Sequence, residues 1–289
     1  MVLLHIKRND QSLFLLQTTL RATVEDTLLS ILRIYNGRLK VDRITSEITD
    51  LAHHGIYMPQ SMRGLLEEQI QELKLTDAQE EICVPSGGYD MNKDPCQRRN
   101  GRQPKENMRE LLHQTIHEAK SKISNENVKS NTCLTWEVVS EALDILRGVV
   151  NIVYPMGLPE YDPIKMELEN RENLAGTQAS KDVIESTQAV IWFSTKELQR
   201  DKKLEDYLGK NEKSKVIIKL CTRSQGQPTR EPVFSEEEQK RLMLANHKRR
   251  EEMLALEKDV SDDSYLNSQW ADQNALKSRM QGINNVNWK

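Results

Sequence analysis

The chain opens with the apolar and polar pattern of a β-hairpin, and its apolar positions then take helical spacing. Two β-rich runs, Val2–Arg8 and residues 12–17, are separated by Asn9 and Asp10, which favour a tight turn. Three helices are predicted next. The first begins after a cap at Thr23 and ends at Asn36 and Gly37, the second covers about residues 40–53, and the third covers residues 67–75. Residues 1–75 are thus expected to form a β-hairpin plus helices, either as a second β-grasp or as a cap on the helices.

A loop and two further helices are predicted after residue 75. Residues 76–106 contain the turn-forming runs CVPSGG and RRNGRQP, which are typical of a long surface loop. Apolar residues recur at helical spacing over about 106–123, and Thr135 caps another helix that Gly148 ends. Residues 107–148 are therefore a predicted helical region.

From Val149 the apolar period changes from that of a helix to that of a strand. Residues 149–154 are mostly β-branched, a turn follows, and residues 164–169 alternate between apolar and charged, which predicts a hairpin with one solvated face. The elements predicted after this hairpin are a short helix at 178–187 and strands at Ala189–Phe193 and 216–220.

Residues 191–207 give this order of elements a specific resemblance. IWFSTKEL at 191–198, followed by LEDY at 204–207, resembles the second half of ubiquitin, where a similar strand pair precedes L-x-D-Y at the same spacing. In such a unit Leu198 and Leu204 would pin a tight turn onto the sheet, and the Tyr207 ring would cover the turn while its hydroxyl reaches a backbone group. The resemblance implies a ubiquitin-like domain at residues 149–223; the alternative is an unrelated strand–turn–strand unit.

Ubiquitin-like folds bind partners through the exposed face of their sheet, and the alignment places Trp192, Ile217 and Lys219 on that face. An exposed Trp beside an Ile is the kind of rigid apolar anchor found at interface hot spots. These three residues are therefore predicted to contact a partner protein. The alternative is that Trp192 packs under a helix of the same chain.

After Arg223 the chain loses its regular apolar pattern. Residues 224–234 are a predicted linker, 235–258 a highly charged helix without sustained heptads, and 259–289 an extended tail. The tail has aromatic and apolar residues in a polar context, which is typical either of a docking peptide or of a strap across its own domain. The predicted contact residues of the tail are Tyr265, Leu266, Trp270 and Trp288.

Together these elements predict an α+β fold with an N-terminal β-hairpin and helical region, a C-terminal ubiquitin-like β-grasp domain and an extended helical tail. The composition agrees with small cores, because only 37% of residues are hydrophobic and 29% are charged. The net charge of −3 disfavours nucleic acid as the main ligand. No apolar run has the length of a membrane helix, so membrane insertion is not expected, and the four scattered Cys are expected to be reduced in a cytosolic setting.

Residues that could carry chemistry do not form a catalytic or metal-binding pattern. His113 and His117 lie four residues apart, but the intervening sequence is Gln-Thr-Ile and lacks the glutamate of a zinc-protease helix. The cysteines have no close-spaced pair, which disfavours a four-ligand zinc site. Gly209 and Lys210 lack the surrounding residues of a phosphate loop. The sequence therefore predicts a protein that binds other proteins, and neither an enzyme nor a cofactor or metal site.

The chain as a whole resembles the Kurly family, cilia- and flagella-associated protein 298. The blocks that carry the resemblance are MVLLHIKR at 1–8, YNGRLKV at 35–41, CVPSGG at 83–88, IVYPMGLPEYDPIKMELE at 152–169, DYLGKNEKSKVIIKL at 206–220 and YLNSQWAD at 265–272. They extend over nearly the full length of the chain, and the match is loose at residues 88–95.

The resemblance implies a role in motile cilia, in the assembly or delivery of axonemal dynein arms, with a link to planar cell polarity. It also implies residence in the cytoplasm and at the cilium, with its cytoskeleton, and the absence of catalysis. The expected partners are dynein arm assembly factors or dynein chains, bound by an adaptor. One alternative is a structural axonemal component bound to microtubules or to the dynein docking machinery; another, an unrecognised enzyme, would need a convergent polar pocket.

Overall fold

In the larger of two units, five strands lie near the two ends of the sequence, and helices with one short strand pair lie between them. The computed structural model describes residues 1–228 and 236–261. The chain divides into two compact units, Met1–Thr229 and Arg230–Lys289, which are described separately. The strands are β1 Val2–Arg8, β2 Gln11–Thr18, β3 Tyr89–Met91, β4 Arg102–Pro104, β5 Ala189–Phe193, β6 Lys196–Glu197 and β7 Lys215–Thr222. The helices are α1 Val24–His54, α2 Glu67–Glu72, α3 Gln79–Ile82, α4 Glu106–Ile123, α5 Trp136–Val153, α6 Pro163–Leu168, α7 Ala179–Asp182, α8 Glu205–Leu208 and α9 Glu236–Ser261.

Five strands form one mixed sheet in the order β2-β1-β7-β5-β6. β1 runs antiparallel to β2 and parallel to β7, whereas β5 runs antiparallel to both β7 and β6. Parallel neighbours need a long crossover connection, and here nearly the whole unit lies between β1 and β7 in sequence. The centre of the sheet is therefore assembled from segments that are far apart in the chain.

Helix α1 covers the inner face of this sheet. Val2, Leu4 and Ile6 alternate inward along β1, and Ile218 and Leu220 do so along β7; all five are fully buried. They form one apolar cluster with residues of α1, namely Val24, Leu28, Ile31, Leu32 and Tyr35. Complete burial of side chains of this size stabilises a fold by about 1.5–3 kcal/mol each, so this interface holds the two ends of the unit together.

The resemblance to ubiquitin correctly predicts that β5 and β7 are neighbours, but it predicts the wrong hairpin as their partner in the sheet. β5 and β7 are neighbours, as predicted. The sheet is completed by the N-terminal hairpin β1–β2 and not by a hairpin within residues 149–223. The N-terminal hairpin is therefore neither a second β-grasp nor a cap on the helices, but supplies two of the five strands of the same sheet.

The hairpin predicted over residues 149–169 is wrong, because this segment is helical. Helix α5 continues to Val153, with Val149, Val150 and Val153 buried on the same face as Leu146. Burial on one helical stripe outweighs the small helix penalty of β-branched residues. α6 starts at Pro163 behind an Asp162 N-cap, whose carboxylate accepts a hydrogen bond from the Ile164 N–H at 3.0 Å.

Two helices predicted to be separated at Asn36 and Gly37 are one continuous helix, α1. An Asn–Gly pair often ends a helix, but here both residues contact neighbouring segments. The Asn36 side chain donates to the Ile184 carbonyl at 2.9 Å and accepts from the Ile184 N–H at 3.3 Å. A Cβ at Gly37 would lie 2.8 Å from Val139 Cγ1, so glycine permits the close approach of α1 and α5.

The segments predicted as loop and short helix are only partly irregular. Residues 76–106 include α3 and the antiparallel pair β3–β4, which form a second, two-stranded sheet. The helix predicted at 178–187 is limited to α7, Ala179–Asp182. The charged helix predicted at 235–258 is present as α9, and the α+β fold class is confirmed. Among the described residues no helix has the length and apolar character needed to cross a membrane.

Candidate protein-binding surface

The sheet face opposite α1 carries the residues that the sequence predicts to bind a partner. Antiparallel pairing of β5 and β7 places Trp192 beside Lys219. Parallel pairing of β1 and β7 places Lys7 beside Lys219 and His5 beside Ile217. Because side chains alternate along a strand, these residues share one face, away from the inward-facing Ile218 and Leu220. We call this set, Trp192, Ile217, Lys219, Lys7 and His5, the outer sheet face.

The members of the outer sheet face differ in how much surface they offer. Ile217 is 40% exposed, whereas Trp192 is half-buried and Lys219 is only 9% exposed. Part of the indole surface is thus accessible, and Lys219 offers little of its side chain to a partner. The accessible apolar part of this face is Ile217 with the exposed portion of Trp192. Isoleucine at an exposed strand position presents a stiff apolar group that loses little side-chain entropy on contact.

The turn that follows β5 is fixed to the core by contacts that the sequence predicted. Leu198 and Leu204 are buried, at 3% and 0% exposure, and fix the turn to the core. The Gln199 N–H donates to the Tyr207 hydroxyl at 3.1 Å, which confirms the predicted bond from the ring to a backbone group. Arg200 donates to the carbonyl of Ala189 at 3.0 Å, so the turn is also tied to the start of β5.

A second apolar surface lies where residues 58–70 meet the region predicted as loop, and sequence reasoning missed it. A cleft of about 540 Å³ is lined by the apolar residues Met58, Met62, Leu65, Leu66, Ile70 and Met91. Leu66 and Met91 are 53% and 64% exposed. Leu66 and Ile70 fit the helix predicted at 67–75, but the other apolar residues come from turns and from β3, so no single sequence pattern marks the cleft.

Buried titratable groups between α1 and α6 are bonded within the fold. Arg99, 4% exposed, donates to the Gly55 carbonyl at 2.9 Å and to Glu47 Oε2 at 2.6 Å. Asp162 is fully buried and accepts hydrogen bonds from the Tyr57 and Ile164 N–H groups at 3.2 and 3.0 Å. Burial raises the pKa of Asp162 above its ordinary value, while Arg99 and the two N–H groups act in the opposite direction. These contacts join residues 94–104 and α6 to the end of α1.

His113, one of the two histidines singled out in the sequence, lies beside His53 of α1. The rings of His53 and His113 are 5.4 Å apart between centroids, which brings the end of α1 close to α4. Desolvation and the neighbouring His113, His54 and Arg109 lower the pKa of His53. Within residues 1–228 and 236–261, no group of three or more His, Cys, Asp or Glu side chains could hold a metal ion.

The predicted contact residues of the tail, Tyr265, Leu266, Trp270 and Trp288, lie outside the described residues. Helix α9, by contrast, is described over its whole length, and every side chain from residue 237 to 255 is exposed. In this helix His247 Nδ1 lies 3.6 Å from the Glu251 carboxylate. It is thus a helix whose described side chains are covered by no other element.

Comparison with known proteins gives full-length matches. A sequence model of the family described as "Cilia- and flagella-associated protein 298" matches residues 189–286, which begin at β5. Curated relatives with that name are 54% identical over 288 residues in Danio rerio, 54% over 289 residues in Homo sapiens and 45% over 289 residues in Drosophila melanogaster. Each alignment covers 100% of this chain and 99% of the relative. No solved structure matches the chain.

Proposed function

The chain belongs to the cilia- and flagella-associated protein 298 family, and from this membership we propose that it is a non-enzymatic, protein-binding adaptor in the biogenesis of motile cilia. It supports the assembly of axonemal dynein arms and cilium movement, with a further link to planar cell polarity. It works in the cytoplasm and at the cilium with its cytoskeleton, and its partners are dynein arm assembly factors or dynein chains. The names of its relatives support the association with cilia and flagella.

The observation that carries the binding role is the outer sheet face. Ile217 is 40% exposed in the middle of β7, next to a half-buried Trp192, on a sheet whose opposite face is packed against α1. A rigid sheet that presents an apolar centre beside basic neighbours suits a hot-spot contact, in which a few anchors contribute most of the affinity. The rigidity lowers the entropy lost when a partner binds.

The contacts of Arg99 and Asp162 support a structural role for these two buried groups over a catalytic one. Arg99 donates to the Gly55 carbonyl and to the Glu47 carboxylate, and Asp162 accepts from the Tyr57 and Ile164 N–H groups. Bonds of this kind satisfy buried polar groups and fix the fold, whereas a catalytic site leaves groups directed at a substrate.

The proposal is tested in ciliated cells that lack the protein and receive either wild-type protein or the Ile217→Glu variant. We expect wild-type protein to restore dynein heavy chains in isolated axonemes, and Ile217→Glu to restore less than a tenth of that amount. Ile152→Glu is the matched control, because Ile152 is a 58% exposed isoleucine on α5. Normal dynein content with Ile217→Glu would contradict the proposed surface.

Fractionation of the same cells separates the adaptor from a structural axonemal component. An adaptor is recovered mainly in the cytosolic extract, since it leaves its cargo after assembly. A protein that stays with the axoneme through detergent and high-salt extraction would instead be a structural component, and the adaptor role would be rejected.

A further inference from the structure

The exposed helix α9 has two apolar ends on one face and two arginines between them. Leu242, Ala245, Asn246, Arg249 and Met253 follow the spacing i, i+3, i+4, i+7, i+11, which places them on one side of a helix. Met243, Arg250 and Leu254 repeat the same spacing one position along. We call this side, which consists of these eight residues, the arginine stripe.

The arginine stripe is open to a partner along its full length. Leu242, Met243, Met253 and Leu254 are 50%, 71%, 66% and 51% exposed. Within the described part of the chain neither Arg249 nor Arg250 forms an ion pair, although acidic residues are frequent in the helix. Among the described residues, one surface of the helix therefore combines apolar groups with two guanidinium groups that form no described ion pair.

The opposite side of α9 has a different character. Leu244, Lys248, Glu251 and Ala255 lie there, about half a turn from the centre of the arginine stripe. Glu251 lies beside His247, as described above. The opposite side thus has Leu244 and Ala255 at its ends and charges of both signs between them, whereas the arginine stripe has a Leu–Met pair at each end and two arginines in the middle.

We propose that the arginine stripe docks into an acidic groove of a partner protein, with Arg249 and Arg250 opposite carboxylates and the Leu–Met pairs in two apolar pockets. Met253 is eleven positions after Leu242, so the two pockets are about 16 Å apart along the groove, with the carboxylates between them. Guanidinium groups pair with carboxylates in a bidentate manner, which gives the contact its register. This inference deepens the proposed function, on which it rests, by naming the chemistry of one partner.

Charge argues against two other occupants of the stripe. In a pair of α9 helices from two copies of this chain, the arginines at the middle of one stripe would meet those of the other, which is repulsive. A membrane surface would draw Arg249 and Arg250 towards the acyl boundary, while amphipathic membrane helices keep their basic residues on the polar face. Both occupants remain outcomes of the test.

The test uses the full-length chain in ciliated cells that lack the natural protein. A photo-crosslinking phenylalanine derivative replaces either Leu242 on the stripe or Leu244 on the opposite side, and cross-linked peptides are sequenced. We expect position 242 to cross-link to one partner segment that contains Asp or Glu, at least ten times more than position 244. Equal cross-linking from both positions, none from either, or cross-linking to a second copy of the chain would overturn the proposal.

Charge reversal then tests the arginines. Arg249→Glu with Arg250→Glu should reduce the cross-link from position 242 at least tenfold, and lysine at the partner's carboxylates should restore it. Lys240→Glu with Lys248→Glu makes the same change in charge on the other side and should have no effect. Persistence of the cross-link after Arg249 and Arg250 are reversed would overturn the proposal. The proposal would also be overturned if the wild-type chain binds phosphatidylserine vesicles and the same reversal abolishes that binding.

The outcome is independent of the outer sheet face. If Ile217→Glu abolishes dynein arms while reversal of Arg249 and Arg250 changes neither the cross-link nor the arms, the inference fails and the proposed function stands. If the cross-link behaves as expected but leads to a partner outside dynein assembly and Ile217→Glu is silent, the proposed function fails instead.

Discussion

At the scale of single residues, Gly37 shows how a helix stop signal can serve packing instead. A methyl group at this position would lie 2.8 Å from Val139 Cγ1 and 2.9 Å from Trp136 Cζ3. We predict that Gly37→Ala lowers the free energy of unfolding by about 1–3 kcal/mol through overpacking, despite the higher helix propensity of alanine.

Gly148 is the matched control for this prediction. It lies inside α5 with nothing within 4 Å of an added Cβ, so Gly148→Ala should raise the free energy of unfolding by about 0.5–1 kcal/mol. Urea denaturation of the two variants measures both effects. A Gly37→Ala variant as stable as Gly148→Ala would contradict the close contact between α1 and α5.

Asp162 gives a prediction for pH dependence. Burial raises its pKa in the folded state above the ordinary value of about 3.9. Between these two pKa values the folded state holds a proton that the unfolded state has lost, so the free energy of unfolding falls as pH rises through this window. This contribution is fully present below the ordinary value and is lost as pH rises through the raised one.

Asp162→Asn should flatten that part of the pH profile, because an amide does not titrate there. Urea denaturation between pH 4 and 7 measures the slope for wild type and variant. Asp201→Asn, an exposed aspartate in the turn before α8, should retain the wild-type slope. The account of Asp162 is contradicted if its variant keeps that slope as well.

At the scale of elements, the short-range patterns were predictable and the long-range ones were not. The N-terminal hairpin, the turn with Leu198, Leu204 and Tyr207, and the charged helix α9 depend on neighbouring residues, and each is present. Residues 149–153 were indistinguishable from a strand in sequence, because their helical form depends on burial against distant segments. The same holds for the site: the alignment with ubiquitin gave the face of Trp192 and Ile217, but the burial of Lys219 is set by tertiary packing.

Strand β7 provides a test of this alternation with two adjacent isoleucines. Ile218 is fully buried against α1, whereas Ile217 is 40% exposed. We predict that Ile218→Ala lowers the free energy of unfolding by about 2–5 kcal/mol, and that Ile217→Ala costs less than about 1 kcal/mol. Chemical denaturation compares the two, and equal losses would mean that Ile217 belongs to the core and is not available to a partner.

At the scale of the whole molecule, the sheet explains why the resemblance to ubiquitin was local. β1 and β7 are parallel neighbours, although β1 begins at Val2 and β7 begins at Lys215. A long, mainly helical segment connects α1 to β5. It contributes to the apolar cleft and contains the buried residues Arg99 and Asp162. A local motif could identify the strand pair and its turn, but it could not reveal that the missing strands are at the other end of the unit.

The central claim is that this chain acts by binding proteins of dynein arm assembly through the face of the sheet that α1 leaves open. The most direct measurement is quantitative recovery of those proteins from ciliated-cell extract by wild type, Ile217→Glu and Ile152→Glu, each confirmed to be folded by thermal denaturation. The predicted result is at least a tenfold loss of assembly factors or dynein chains with Ile217→Glu and wild-type recovery with Ile152→Glu. Undiminished recovery by a folded Ile217→Glu variant would contradict the claim.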